Sequence, residues 1–474
     1  MKAKRVISGA LAGLLCATTV GVFSSCDGSS AEGVIKVAYA KAGYGSTFMD
    51  AWEAEFEAMY DGKYDVQLEG EPGMTEEFVN RLDTGTNLPD VFMIMETGWQ
   101  KMAAKGRLEP LNDIYETVDE ETGKKMEDFI NPNVRDYGRL TNGNDYVIPL
   151  SDGAVGIVYN VDMFEENDWQ VPTTLEELVA LCDTINAAQI PVEELGGAED
   201  GAFVQPFALN AGYGDYLGET WWAQYEGAEN FTRFFEFEHP KVYLQQGRVE
   251  ALTAFQTLFY NPNGGKNKKK NTWPSVSSHT DAHAFFGMGA AAMIIEGSWL
   301  ENESKNTIGN SVNYKMMRTP YLTDALKDKY TAAGSTPILA SQAGDFMCIP
   351  TEAANKEGAK LFLQYVNSKK GCETFTKATK GSQRPFQYKA SEVQYEQGQE
   401  PSAFLQSCAD IYENSEIVYH FSTNPMNWEN GLGKWPKQTP YSSMIVEGTT
   451  PIGICQAIVD YAYKNWWDIY AQVA

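Results

Sequence analysis

The sequence predicts an α/β chain of two domains, each a sheet with helices packed on it. Three observations point there. Short apolar runs bounded by glycine or proline alternate with segments whose apolar residues recur at helical spacing. The first of these series runs strand, helix, strand, helix, strand, the order that builds a parallel sheet. A length of 474 residues, 43% of them hydrophobic, is enough for two cores.

Taken in order, residues 34–40 read as a first strand. Met49, Trp52, Phe56, Met59 and Tyr60 mark a helix with acids between them. Residues 64–69 are a second strand, a helix carrying Phe78, Val79 and Leu82 starts at Thr75, and Asn87-Leu-Pro-Asp turns the chain into a third strand at 91–95. The loops at these strand ends hold Tyr44, Glu71, Glu96 and Trp99 along one edge of the sheet, where ligands settle in open α/β sheets. After an irregular segment to about 144, residues 146–160 give two apolar pieces around Ser151-Asp152-Gly153, read as the chain crossing into the second domain. A helix follows from about 175, with Thr and Glu at capping-box spacing.

Residues 206–237 are dense in aromatics, among them Tyr213, Tyr216, Trp221, Trp222 and Tyr225, broken by Gly212, Gly214 and Gly218. The glycines and acids argue against a plain core helix for the first half, and at least one of Trp221, Trp222 and Tyr225 is expected to face a ligand, with helix packing as the alternative. In residues 287–300 the run Met293-Ile294-Ile295 predicts a buried strand. Glu296, Gly297, Ser298 and Trp299 then sit at its carboxyl end. Two hydrogen-bonding side chains, a glycine that lets backbone approach and a flat ring suit a polyol with polar edges and an apolar face. Residues 344–350 read as another strand led by Asp345, 355–366 as a helix, 381–386 as a loop carrying Arg384, and 452–470 as a last amphipathic helix. No internal repeat is evident.

The amino terminus has its own logic. Lys2, Lys4 and Arg5 precede an apolar stretch over 6–22, and then comes Phe23-Ser-Ser-Cys26. Residues 1–26 read as an export signal of the lipoprotein kind, with Cys26 lipidated as the first mature residue and 27–33 as a polar tether. Phe23 stands where such signals prefer Leu, and an uncleaved membrane anchor is the alternative. Either way the body of the protein is expected at the cell membrane, anchored on the extracytoplasmic face.

The formal charge of −27 argues against nucleic acid or another polyanion as ligand. No two of the seven cysteines have C-x-x-C spacing, so neither a zinc ribbon nor a redox motif is supported, and Cys182 and Cys348 read as buried thiols. His279 and His283 stand four residues apart, a helical metal-ligand spacing, but no adjoining glutamate or clear third ligand completes it. They read as surface or helix-start residues. No phosphate-binding G-x-x-x-x-G-K motif and no serine nucleophile elbow occur.

Several motifs occur in a fixed order. After the lipoprotein signal come Leu88-Pro-Asp-Val-Phe with Gly98-Trp99, then Lys105-Gly-Arg-Leu-Glu-Pro-Leu, then Ile148-Pro with Gly156-Ile-Val-Tyr-Asn. Asp162-Met-Phe, Val171-Pro-Thr-Thr-Leu-Glu-Glu-Leu, Phe286-Gly-Met-Gly-Ala-Ala-Ala-Met-Ile-Ile-Glu-Gly-Ser-Trp and Asn355-Lys-Glu follow. In this order and spacing the chain resembles the extracytoplasmic solute-binding proteins of ABC importers, of the carbohydrate-binding family 1 type, over nearly its whole length. The resemblance implies a type II periplasmic-binding-protein-like fold, with two α/β lobes, an interlobe cleft and hinge crossovers. It also implies closure on a sugar or oligosaccharide and docking to the ABC permease subunits, with no catalysis and no cofactor. On it we expect residues 33–150 with 300–345 in lobe one, and 151–299 with 346–474 in lobe two. The aromatic insert near 210–280 departs from shorter members.

Sugar hydroxyls want carboxylates and Arg, and the C–H face wants a ring. The expected polar partners are Glu71, Glu96, Asp152, Glu296, Asp345 and Arg384, and the expected stacking partners are Tyr44, Trp99, Trp221, Trp222 and Trp299. Alternatives are a peptide or polyamine as ligand, an extracellular glycoside hydrolase with two placed carboxylates, and a metal-binding lipoprotein.

Overall fold

A computed structural model describes residues 33–41, 43–94, 98–135, 138–235, 239–264, 268–305, 307–309, 311–341, 345–419 and 440–473. Cys26, Cys16 and Glu96 lie outside these residues, and with them the expected signal and lipid anchor.

The opening series folds as its periodicity predicts. β1 (Val34–Ala40) pairs in parallel with β2 (Asp65–Glu71) and β3 (Val91–Ile94), and the helices Thr47–Met59 and Met74–Thr84 join them. Phe48, Met49, Trp52 and Phe56 bury one face of the first helix; Met74, Phe78 and Leu82 bury one face of the second. β10 (Phe346–Cys348) adds antiparallel to β3, and β4 (Ile148–Pro149) antiparallel to β10, giving the sheet order β2-β1-β3-β10-β4. A second sheet runs β6 (Gln205–Ala208), β7 (Ala291–Gly297), β5 (Val155–Asn160), β8 (Tyr314–Met317). β6 and β7 are parallel; β5 is antiparallel to both β7 and β8. β9 (Ile338–Ser341) and β11 (Glu416–Tyr419) form a separate parallel pair.

Each sheet has its own apolar core, which makes two lobes. The expected division of the chain between them needs correction. β8 and β9, inside 300–345, pack with the second sheet, whereas β10 and the helices Lys356–Val366 and Lys369–Ala378 belong to the first. Linear order could not reveal this, because β10 enters its sheet antiparallel from a distant part of the chain. Among the described residues the chain passes between lobes at β4–β5, at β9–β10, and between Phe386 and the helix Ala403–Glu413.

The aromatic segment is a second correction. Residues Gly214–Glu226 form one continuous helix packed in lobe two, with Trp221 and Trp222 fully buried. Trp221 Nε1 donates to Pro320 O at 2.6 Å and Trp222 Nε1 to Gln245 Oε1 at 2.7 Å. Phe231 and Phe234 meet the Trp222 ring edge-on, at centroid distances of 4.8 and 4.6 Å. Both tryptophans are core, not ligand surface. The glycines do not break the helix; they make room on it. A Cβ at Gly218 would lie 2.1 Å from the Tyr441 ring, and one at Gly214 2.5 Å from Tyr441 Cβ. Spaced four apart, the two glycines form a flat face on which Tyr441 lies.

Trp99 is likewise buried, in the lobe-one core beside Phe346. Arg384 is fully enclosed in the same lobe. It donates to Leu150 O and Asn367 Oδ1, each at 2.7 Å, and to Val366 O, and it lies over the Trp52 and Phe386 rings. Its guanidinium stitches a helix end to the first crossover and has no donor left for a sugar. Cys182 and Cys348 are buried thiols, as expected.

Replacing Gly218 by Ala is expected to force Tyr441 off the helix and to cost about 1–3 kcal/mol of stability, read by urea unfolding. An unchanged midpoint would show that the close approach is not required.

Candidate ligand site between the lobes

The crossovers meet at one carboxylate. Asp152 lies in the 150–154 linker and is fully buried. It accepts hydrogen bonds from Ser341 at the end of β9, from Tyr412, from Tyr419 on β11 at 2.5 Å, and from Gly153 N at 2.8 Å. Burial pushes its pKa up, against the pull of these donors. Asn131 of lobe one donates to both tyrosine hydroxyls, at 2.8 and 3.3 Å. Backbone bonds complete the joint: Leu150 N to Asp345 O at 2.7 Å, Asp152 N to Gln383 O at 3.1 Å, and Ser298 N to Ala154 O at 3.0 Å. Asp152 therefore holds the hinge. Its acceptor sites are taken, so it is not the sugar-binding carboxylate expected from the sequence.

Beside the hinge a row of rings crosses from lobe to lobe. β1 delivers Tyr44 and β7 delivers Trp299, both just beyond the carboxyl ends of their strands. The Tyr44 and Trp299 rings meet edge-on at 6.4 Å, and Trp299 meets Tyr216 edge-on at 5.5 Å. Tyr216 packs on Tyr213 at 4.7 Å, and Tyr213 stacks with His279 at 6.2 Å. Gly297 is needed for this: a Cβ there would sit 2.3 Å from the Trp299 ring, which folds back over the strand end. Tyr44 OH reaches the main-chain oxygen of Asp152 at 3.4 Å, tying the ring row to the hinge. Trp299, Tyr213 and Tyr216 are half-buried, with part of each ring open.

Glu296 turns inward instead. It is fully buried, takes Gly297 N at 3.1 Å and faces His283 Nε2 at 2.8 Å. Ser278 caps the helix His279–Gly287, accepting from Asp281 N while Asp281 takes Ser278 N. That fixed start places His279 and His283 on one face, toward β7. The reading of both as surface or helix-start residues is corrected for His283, which is 2% exposed. Glu303 is nearby, and partial burial together with the Glu296 charge pushes its carboxyl up.

Of the other expected residues, Glu71 is exposed at the end of edge strand β2, a strand away from Tyr44. Asp345 lies at the second crossover, where burial pushes its carboxyl up to about 6. The structure thus brings together Tyr44, Asp152, Glu296, Trp299 and Asp345, and not Trp99, Trp221, Trp222 or Arg384. It adds Tyr213 and Tyr216. Both belong to the aromatic segment 206–237, whose composition does not distinguish them from the buried tryptophans.

The Asp345 carboxyl ionises at about 6 when folded, against an ordinary 3.8. The folded chain thus holds that proton more tightly than the unfolded one. Its contribution is fully present below about pH 4 and is lost as pH rises toward 6, by about 3 kcal/mol. Asp345→Asn is expected to gain on the parent protein by about that amount between pH 4 and pH 7 in chemical unfolding. A difference flat with pH would contradict the assignment.

A curated relative, the diacetylchitobiose binding protein NgcE of Streptomyces coelicolor, is 25% identical over 363 residues, 74% of this chain and 69% of that one. Among solved structures, the bacterial solute receptor AcbH aligns over 91% of this chain and 99% of its own, with TM-score 0.64 and 13% identity. The ABC substrate-binding protein Lmo0181 of Listeria monocytogenes, solved with cycloalternan, aligns over 92% and 99%, with TM-score 0.61 and 15% identity. These likenesses establish the two-lobed type II fold. The sequence model for bacterial extracellular solute-binding proteins matches residues 40–371, and the chain belongs to that family.

Proposed function

We propose that the protein is the extracytoplasmic carbohydrate-binding component of an ABC importer, taking a sugar or oligosaccharide between its lobes and delivering it to the permease. The observation that carries this is the row Tyr44, Trp299, Tyr216, Tyr213, which runs from one lobe to the other at the carboxyl ends of β1 and β7. The partly open Trp299, Tyr216 and Tyr213 rings offer a sugar both a C–H stacking face and hydrogen-bonding edges, with the buried Tyr44 behind them. Of the acids expected from the sequence, Asp345, whose charge acts on Tyr44, and the exposed Glu71 remain candidates for hydroxyl binding. The printed ligand of the relative NgcE, diacetylchitobiose, supports a carbohydrate. The preference for β-D-galactopyranose given for AcbH and the cycloalternan in Lmo0181 point the same way.

A ligand that touches both lobes favours the closed form by its differential affinity for that state. The hinge at Asp152 gives the movement its axis. Lipidation of Cys26 after signal removal would keep the protein beside the permease. Among the described residues no helix is long and apolar enough to cross a membrane.

A thermal-shift screen over mono- and oligosaccharides, with polyamines as controls, tests the ligand class. Stabilisation by a glycan is expected; a shift with a polyamine and with no glycan would overturn it. With a glycan in hand, Trp299→Ala and Tyr213→Ala are each expected to weaken binding roughly 10- to 100-fold, about 1.4–2.8 kcal/mol. The melting temperature of the free protein should stay nearly unchanged. A collapsed melting temperature for Trp299→Ala would mean that the ring is packing, not contact.

A further inference from the structure

We infer that lobe two carries a binding site for a first-row divalent cation of the zinc class, formed by His283, Glu296, Glu303 and His279. One ligand atom from each of His283, Glu296 and Glu303 can be chosen so that all lie within 4.8 Å of one another. His279 Nε2 stands 3.8 Å from Glu303 Oε1, which adds a second imidazole to the same group. Tetrahedral zinc, with bonds near 2.0–2.1 Å, holds its ligand atoms about 3.3 Å apart, so shifts of about an ångström would close the set.

Three features separate this cluster from surface acids. First, the capped helix presents His279 and His283 one turn apart on the face that meets β7, so both imidazoles approach the same strand end. Secondly, His283 is 2% exposed and Glu296 fully buried, so two of the ligands are held by packing before any ion arrives. Thirdly, the partners match a metal site and not a surface ion-pair network: the ion-pair partners described for Glu296 and Glu303 are the two imidazoles, and no Lys or Arg is among them. Nitrogen and carboxylate oxygen donors therefore converge without a fixed cationic side chain between them.

The donor set selects the ion. Two imidazole nitrogens with two carboxylates suit zinc and its first-row neighbours, whereas calcium and magnesium prefer all-oxygen sites. The site lies on the lobe-two wall beside Tyr213, which stacks on His279. It stands independently of the ligand that the cleft takes.

The test uses the untagged purified chain, stripped with chelator and dialysed, and titrated with zinc chloride alone by calorimetry. One saturable site per chain is expected, with a rise in melting temperature and no comparable response to calcium. Glu303 lies at the outer side of the cluster, so Glu303→Gln removes a ligand without opening the core; it is expected to weaken zinc binding at least tenfold, while the metal-free melting temperature is no lower than the parent's because repulsion with Glu296 is relieved. His279→Ala should weaken it as well. Zinc binding that neither substitution alters, or no saturable binding at all, would overturn the site.

Discussion

The structure depends on one buried carboxylate. A charge taken out of water costs several kcal/mol unless its lone pairs find donors. Asp152 finds them in Ser341, Tyr412, Tyr419 and Gly153 N, which come from separate passages of the chain. Satisfying this one side chain therefore requires the β4–β5 linker, the end of β9 and the helix–β11 segment to come to one point. The sheets alone would not fix that meeting. Each lobe has its own core and could bury its apolar faces in several relative orientations. The polar joint selects one family of them, because a half-satisfied buried network is costlier than none. Arg384 performs a similar service within lobe one, binding the helix end at Val366 and Asn367 to the oxygen of Leu150 at the start of the same linker.

The sequence made some of this legible and concealed the rest for physical reasons. Local periodicity was enough for β1, β2, β3 and the helices between them, because each shows one apolar face to a nearby partner. It was enough too for β7, where an unbroken apolar run reports burial on both sides. The aromatic segment misled because glycine has two uses. At 214 and 218 it serves packing of Tyr441, contributed from far along the chain, and not a break in the helix. The assignment of 300–345 to lobe one failed for a related reason, since strand pairing across lobes is set by partners that local pattern does not name. Polar residues were the hardest. Asp152, Glu296 and Arg384 have the chemistry to bind a sugar, and each binds the protein itself. Side-chain chemistry is the same in both roles, and only burial decides between them. Family membership was legible through the order of its motifs, not through any single residue.

The residues that remain at the cleft share a different character. Tyr44, Trp299, Tyr216 and Tyr213 meet mostly edge-on, and the Trp299, Tyr216 and Tyr213 rings stay partly uncovered. Their support is rigid: Gly297 lets Trp299 fold onto its own strand end, and Ser298 N is fixed to Ala154 O at the hinge. A preformed face of this kind spends little binding energy on ordering side chains. The overall charge of −27 does not work against a neutral ligand, whereas it would repel a phosphorylated one.

Magnitudes then divide the work between protein and ligand. The direct contact between lobes in this row is a single edge-on pair, Tyr44 with Trp299. Such a pair is worth about 0.5–1.5 kcal/mol beyond its buried area. Moving a two-state equilibrium from mostly open to mostly closed takes about 5.5 kcal/mol of differential affinity. The aromatic contact is too weak by several-fold to hold the lobes shut unaided. Under the proposed function, the balance comes from a ligand that touches the wall backed by Tyr44 on one side and Trp299, Tyr216 and Tyr213 on the other. That requirement favours a ligand with a face for each wall and polar enough along its edges to replace water there, as a sugar or oligosaccharide is.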